Sequence, residues 1–493
     1  MAETLHNRTV KGAAWSFADN IINLGVSFVV GIILARLLSP EEYGLIGIIT
    51  IFISVFNSIV DSGFSNALIR KTDANNTDYS TVFWSNLFLS IVLCIALFFC
   101  AGPIATFFDK PKLLPLTQVM SVIVIINAFA IIQRTILVKR IDFKTQMKVS
   151  LIASVTSGIV GIIMAFNGYG VWALAGQQIS RQLLNTVFLH VFNRWRPKKV
   201  FSWESFKNLF NFGWKLLVSG LIDTVWKEVY QVVIGKCYSA ASLGLYTRAS
   251  QFATLFSSNI TVVVQRVSYP ALSSLQNDKE HLKAAYKKVI RITMLVTFPL
   301  MLGLAGCANN FIYVLIGEKW MECVPMLQII CFSMMLYPLH AINLNMLQVQ
   351  GRSDLFLKLE IIKKIIGVLP LLLGIFVDIY WMLVGSVFTS IIAFYLNTYY
   401  SGPFLNYSVL EQVKDILPSF SIGLGMGLFI YLLGFIRFNA FIMLPMQILL
   451  GFVFVVVLCE LIVLPEYLEV KRMVIDVFNK VRNNIRHNHN DQS

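Results

Sequence analysis

Long apolar runs separated by short polar segments cover almost the whole chain. Fourteen of them are long enough to cross a bilayer core: 13–37, 43–66, 81–102, 114–138, 149–166, 170–192, 211–234, 243–266, 289–307, 324–347, 359–376, 380–399, 416–434 and 440–463. Backbone N–H and C=O groups cannot go unpaired in lipid, so each run is expected to be a helix. The pattern predicts an all-α polytopic membrane protein with about fourteen transmembrane helices.

Two corners between these runs are written alike. "SPEEYGLIG" (39–47) and "SAASLGLYT" (239–247) align Ser39 with Ser239, Gly44 with Gly244 and Leu45 with Leu245. The echo continues in the same order. Trp15 aligns with Trp214, "KRIDF" (139–143) more weakly with "RSDLF" (352–356), and "YGVWALAG" (169–176) with "IYWMLVG" (379–385). A shared offset of about 200 residues predicts two similar six-helix lobes. Six is even, so the lobes enter the membrane from the same side as parallel repeats. The expected layout is an N-lobe over 1–192, a linker over 193–210, a C-lobe over 211–399, two extra helices over 400–463 and a basic tail over 464–493.

Composition agrees with the hydropathy. The chain has 493 residues, 57% of them hydrophobic and 13% charged. Soluble domains carry about 25% charged residues. The polar opening segment lacks a signal-peptide pattern, so the first run is read as an uncleaved span. With the N-terminus inside, 26 loop and tail Lys and Arg fall on the inner side and five on the outer: Lys110, Lys112, Lys236, Lys319 and Arg437. That bias places both termini in the cytoplasm. It also accounts for most of the net charge of +14 without a nucleic acid. "SWESFKNLF" (202–210) and the tail 467–486, with Tyr467, Val470, Val474, Val477, Val481 and Ile485 on one face, read as helices lying on the membrane surface. The alternative for the tail is a partner-binding helix. Seven scattered cysteines and six histidines, without C-x-x-C, give no metal or cofactor site.

Polar residues recur at helical spacing in the first two helices of each lobe. Span one carries Ser16, Asn20, Asn23 and Ser27, with Asp19 beside them. Span two carries Thr50, Ser54, Asn57, Asp61 and Ser65. Span seven carries Lys215, Ser219, Asp223, Lys227 and Gln231. Span eight carries Thr247, Gln251, Thr254, Ser258, Thr261 and Gln265, with Tyr246 and Arg248 adjacent. Such seams face protein or water, which predicts one aqueous cleft lined by these four helices. Ser, Thr and Asn serve equally as interhelical glue. That explanation is weaker for Asp61, Asp223, Lys227, Arg248 and Arg181, because a charge at depth costs about 2.5–3.5 kcal/mol. Asp223 and Lys227, four apart, could simply neutralise each other.

"KGAAWSFADNIINLGVSFVVGIILARLLSPEEYGLIGI" (11–48), "IMAFNGYGVWALAGQQ" (163–178), "LGLYTRASQF" (243–252) and "YPALSSLQNDKEHLKAAYKKVIR" (269–291) together resemble the Wzx-type polysaccharide flippases. The similarity is to the lipopolysaccharide and teichuronic-acid branch of the multidrug/oligosaccharidyl-lipid/polysaccharide exporter superfamily. It runs from about residue 11 to 400. The resemblance implies the bacterial inner membrane, two lobes forming a V, and alternating access. It implies a substrate of oligosaccharide on undecaprenyl pyrophosphate, with glycosyltransferases and a polysaccharide polymerase as partners. The diphosphate is anionic and the sugars are rich in hydrogen-bonding groups, so neither crosses hydrocarbon unaided. Arg248, Lys227, Arg181 and Lys215 are the candidate cations for the phosphates. Asp19, Asn20, Asn23, Asn57, Asp61, Asp223, Tyr246 and Gln251 are the candidate polar lining.

Three other functions compete. A cation-coupled drug exporter of the same superfamily would want acids in a more apolar cavity; Asp19, Asp61 and Asp223 leave that open. A membrane polymerase or glycosyltransferase would need a larger aqueous loop, and neither a phosphate-binding glycine loop nor a metal cluster is written here. A scaffold without transport would leave the membrane-depth charges unexplained.

Overall fold

A computed structural model describes residues 5–61, 63–436, 438–472 and 475–476, with side chains from Trp15 onward. Arg8, Lys11, Arg437, Lys480, Arg482, Arg486 and the tail positions Val474, Val477, Val481 and Ile485 lie outside the described side chains. Among the described residues the structure is helical throughout, without strands.

The chain divides into two compact units, residues 1–247 and 248–493. The first contains α1 (Leu5–Leu37), α2 (Pro40–Asp61), α3 (Phe64–Arg70), α4 (Asn76–Phe107), α5 (Leu113–Met120), α6 (Val122–Lys139), α7 (Phe143–Phe166), α8 (Val171–Phe192), α9 (Trp203–Cys237) and the start of α10 (Ala240–Ser274). There α7 packs on α1 and α8, α6 on α4 and α8, and α9 on α2. The second contains the rest of α10, then α11 (Lys279–Ile316), α12 (Cys323–Met334), α13 (Tyr337–Val349), α14 (Ser353–Ile366), α15 (Val368–Phe376), α16 (Ile379–Ser401), α17 (Val409–Leu433) and α18 (Ala440–Leu461). Its main packing pair is α11 with α17.

Every one of the fourteen predicted spans falls on a helix or on a pair of helices. Spans two, four, ten and eleven are the pairs: α2 with α3, α5 with α6, α12 with α13, and α14 with α15. Pro338 lies in the first turn of α13, where its missing N–H breaks no helical bond. Among the described residues, ten helical segments are long and apolar enough to cross a bilayer, so the chain is a multi-pass membrane protein. The expected surface helix at 202–210 is the opening of α9, which continues unbroken to Cys237. Ser202 caps it, its side chain accepting from the Ser205 backbone N–H at 3.2 Å.

The segment before α9 is strapped to the start of α4. Trp195 Nε1 donates to Asn76 Oδ1 at 3.2 Å, the Lys198 N–H to Ser80 Oγ at 3.0 Å, and the Ser202 N–H to Thr81 Oγ1 at 3.0 Å. Buried Asp78 accepts from Ser205 Oγ and pairs with Lys71 at 2.8 Å. That bond holds the Lys71 ammonium above its ordinary pKa. In the second unit, Asp415 and Glu411 of α17 take Arg291 and Lys287 of α11. The first turns of the tail join the same lock: Arg291 meets Glu466 at 3.3 Å and Lys288 meets Glu469 at 2.9 Å.

The repeated corners are helix starts that pack on each other within the first unit. Ser39 and Glu42 cap reciprocally: the Ser39 N–H donates to Glu42 Oε2 at 2.7 Å, and the Glu42 N–H to Ser39 Oγ at 3.4 Å. Ser239 accepts from the Ser242 N–H at 3.0 Å. The glycine five residues on makes the contact possible. A Cβ on Gly44 would lie 1.7 Å from the Ala240 carbonyl oxygen, and one on Gly244 would lie 1.9 Å from that of Pro40. Each corner therefore needs its own glycine to admit the backbone of the other.

Gly44→Ala is expected to destabilise the protein by about 1–3 kcal/mol or more through overpacking against backbone. Gly102→Ala in α4, with nothing within 4 Å of its new Cβ, should be neutral or stabilising by up to about 1 kcal/mol. The temperature at which detergent-solubilised monomer is half lost compares the two.

Candidate functional site

Three helices of the first unit turn polar stripes toward one another. On α8 the stripe is Gln178, Arg181, Gln182 and Asn185, spaced i, i+3, i+4 and i+7. On α7 it is Gln146, Ser150 and Ser154. These positions and Arg134 of α6 line a cavity of about 430 Å³. Arg134 also lines a second cavity, of about 370 Å³, with Asn57, Asp61, Asn127 and Thr135. Its carboxylate in electrostatic reach is Asp61. Among the described residues, neither Arg134 nor Arg181 makes a hydrogen bond or an ion pair. In the larger cavity the two guanidinium groups thus face neutral amides and hydroxyls, and in the smaller one Arg134 also faces Asp61.

The walls are held by interhelical hydrogen bonds. Gln182 Nε2 donates to Asn127 Oδ1 at 2.8 Å, and Asn127 Nδ2 to Asn57 Oδ1 at 3.1 Å, which ties α8 to α6 and α2. Ser150 Oγ donates to Asp19 Oδ1 at 2.5 Å and Ser154 Oγ to Asn23 Oδ1 at 2.9 Å, which ties α7 to α1. Asp61 accepts from Ser65 Oγ at 2.5 Å, and Thr135 Oγ1 donates to Ser65 Oγ at 3.2 Å. Asp19, Asn23, Asn57 and Asp61 are therefore engaged by neighbouring helices, with Asn57 and Asp61 also facing the smaller cavity.

The remaining candidates lie elsewhere. Asn20 on α1 is exposed, and so are Lys215, Asp223 and Lys227 along α9. Glu228, beside Lys227, bonds Gln231 at 2.5 Å. Tyr246 is half-buried at the start of α10, in electrostatic reach of Tyr230. In the second unit Arg248 is 8% exposed; it donates to Gln251 Oε1 at 2.9 Å and lies 6.0 Å from the centroid of the Trp320 ring. Gln251 itself is exposed. Sequence reading missed Arg134, Gln178, Gln182 and Asn185. The α8 spacing was a signal available for three of them. Arg134 sits in "IIQRTILVKR", where it looks like one more cation near an inner helix end. Among the described residues no cluster of His, Cys, Asp and Glu could hold a metal ion.

The opposite face of α8 carries Leu183 and Val187, both nearly half exposed and apolar. In a background without the seven native cysteines, single cysteines at 178, 182 and 185 should react with a small water-soluble thiol reagent. Cysteines at 183 and 187 should stay unreactive in the lipid. Equal labelling of both sets would contradict a hydrated cavity on this face.

The chain's similarities agree with this description. Over 377 residues, 75% of this chain and 76% of the relative, it is 26% identical to the lipopolysaccharide biosynthesis protein WzxC of Escherichia coli strain K12. It is also 26% identical to the succinoglycan biosynthesis transport protein ExoT of Rhizobium meliloti strain 1021, over 68% of each chain. Its fold matches the lipid II flippase MurJ in an inward closed conformation, with a TM-score of 0.73, 17% identity, and coverage of 92% of this chain and 98% of that one. The family model described as polysaccharide biosynthesis protein matches residues 33–325, more than half of the chain. By that match, the chain belongs to the polysaccharide biosynthesis protein family.

Proposed function

We propose that this chain is a flippase for a lipid-linked oligosaccharide. It takes the head group from the cytoplasmic leaflet to the outer leaflet of the bacterial inner membrane by alternating access, while the polyprenyl tail stays in lipid. The observation that carries the proposal is a polar cavity bearing Arg134 and Arg181, which α8 lines together with α6 and α7, two helices in segments apolar enough to span a bilayer. Family membership supports it, as do relatives named for lipopolysaccharide biosynthesis and succinoglycan transport. The fold it shares with a lipid II flippase is consistent with it. The work is transport, without bond-making chemistry. The membrane potential, negative inside, adds about 2.3 kcal/mol per charge per 100 mV to outward movement of an anion that crosses the full field.

Two parallel six-helix lobes are the moving parts in this proposal, and glycosyltransferases and a polymerase act before and after it. Arg181, Lys215, Lys227 and Arg248 are its head-group cations, and the α9 and α10 residues Asp223, Tyr246 and Gln251 are its polar lining. Arg248 is the member that most needs a test, because its bond to Gln251 and its place near Trp320 also suit a packing role. If Arg248 meets phosphate, Arg248→Gln lowers export about tenfold or more at unchanged membrane abundance, and Arg248→Lys restores part of it. Full export by Arg248→Gln removes Arg248 from the site.

Both termini are cytoplasmic in this proposal. Cysteines replacing Lys110 and Lys319 should be labelled from outside the cell, and those replacing Lys198 and Lys471 should not. In cells, loss of the protein should cause lipid-linked oligosaccharide to accumulate, and restoring it should clear the accumulation. Normal export in the deletion strain would contradict the function.

A further inference from the structure

We infer that Arg134 and Arg181 form a two-step diphosphate site inside the first unit, and that it receives the diphosphate of a lipid-linked substrate. The inference rests on the flippase proposal and adds where the anion binds and in what order it meets its cations. Both guanidinium groups line the same cavity of about 430 Å³. A guanidinium presents a fork of N–H donors that matches phosphate oxygens two at a time. Among the described residues neither arginine spends those donors on a protein acceptor.

The rest of the lining supports an anion. Gln146, Gln178, Gln182 and Asn185 are neutral, so the cavity does not cancel its own positive charge. The acid that influences Arg134 is Asp61, which belongs to the adjoining cavity and is already bonded by Ser65. Asp61 offsets part of the Arg134 charge across that adjoining cavity, no acid among the described residues offsets Arg181, and holding such charge in a membrane-spanning unit is costly. A visiting diphosphate relieves that cost.

The two cations sit at different depths. Helices α6 and α8 end on the same side of the membrane, because α7 runs between them in the opposite direction. At 1.5 Å per residue, Arg134 lies roughly 8 Å from the end of α6 at Lys139, and Arg181 roughly 16 Å from the end of α8 at Phe192. With the cytoplasm on that side, a head group entering from within meets Arg134 first and Arg181 about 8 Å deeper. Splitting the attraction between two depths keeps either step weak enough to leave.

The test measures binding of farnesyl diphosphate, farnesyl monophosphate and inorganic pyrophosphate to the full-length protein in nanodiscs. Arg134→Gln and Arg181→Gln should each weaken farnesyl diphosphate binding about tenfold or more and reduce its preference over the monophosphate. Arg134→Lys and Arg181→Lys should lose less. Asn185→Asp, which adds a carboxylate near Arg181 without removing the arginine, should also weaken binding, and serves if a glutamine variant fails to fold. Lys112→Gln, in an exposed outer loop, should bind as the wild type does. Gln variants that keep wild-type affinity and preference overturn the site and remove Arg181 from the head-group cations, while movement of lipid-linked oligosaccharide by the wild type keeps the flippase function standing. A wild type that neither binds farnesyl diphosphate nor moves lipid-linked oligosaccharide overturns both. Inorganic pyrophosphate binding as tightly as farnesyl diphosphate overturns a lipid-borne ligand.

Discussion

A polar side chain on a membrane-spanning helix must meet another helix or open onto water, because hydrocarbon offers it nothing. That constraint sorts the interior of this protein. Asp19 and Asn23 are met by Ser150 and Ser154, and Asn57 is met by Asn127, which is met by Gln182. These bonds fix how α1, α2, α6, α7 and α8 stand against each other. What they leave over is a cavity with two arginines, whose charge is met by neither a bonded nor an ion-paired side chain among the described residues. Ser150, Ser154 and Gln182 do both, bonding a neighbouring helix while lining the cavity, whereas Arg134 and Arg181 line it without a hydrogen bond or ion pair among the described residues.

Much of the fold was legible because run length alone decides whether a segment can span. The breaks were not: nothing in hydropathy separates α5 from α6 or α14 from α15, since the apolar run continues across both. Nor does hydropathy mark the continuity of α9, because Trp203–Phe210 is amphipathic while the rest of that helix is largely apolar. The repeated corner was visible as a repeat. Its reason needed coordinates, since a glycine in sequence does not name the backbone it admits, here Ala240 for Gly44 and Pro40 for Gly244.

The candidate site was legible in part. Arg181 stood out as a charge in mid-span, and the structure places it on a polar cavity. Attention to the first helices of each repeat passed over the α8 stripe, although Gln178, Arg181, Gln182 and Asn185 repeat as a helix face should. Arg134 could not be separated from Lys139 and Arg140 by position alone; what distinguishes it is that it faces inward to two cavities. The seams of α1 and α2 were read as a cleft wall; Asp19, Asn23, Asn57 and Asp61 bond adjacent helices, Thr50 bonds its own helix at Ile46, and Asn20 is exposed. The chemistry of the cargo follows from the same physics: a head group that is anionic and hydroxyl-rich needs cations and amides, and a tail that is hydrocarbon needs neither.

The most direct measurement is made with purified protein in liposomes. An oligosaccharide linked to a polyprenyl diphosphate is placed in both leaflets, and a membrane-impermeant reagent or enzyme consumes the exposed fraction. The account predicts that liposomes with the protein lose nearly all of the substrate, while protein-free liposomes stop near half. If liposomes with correctly folded protein also stop near half, the chain does not move lipid-linked oligosaccharide and the central claim fails.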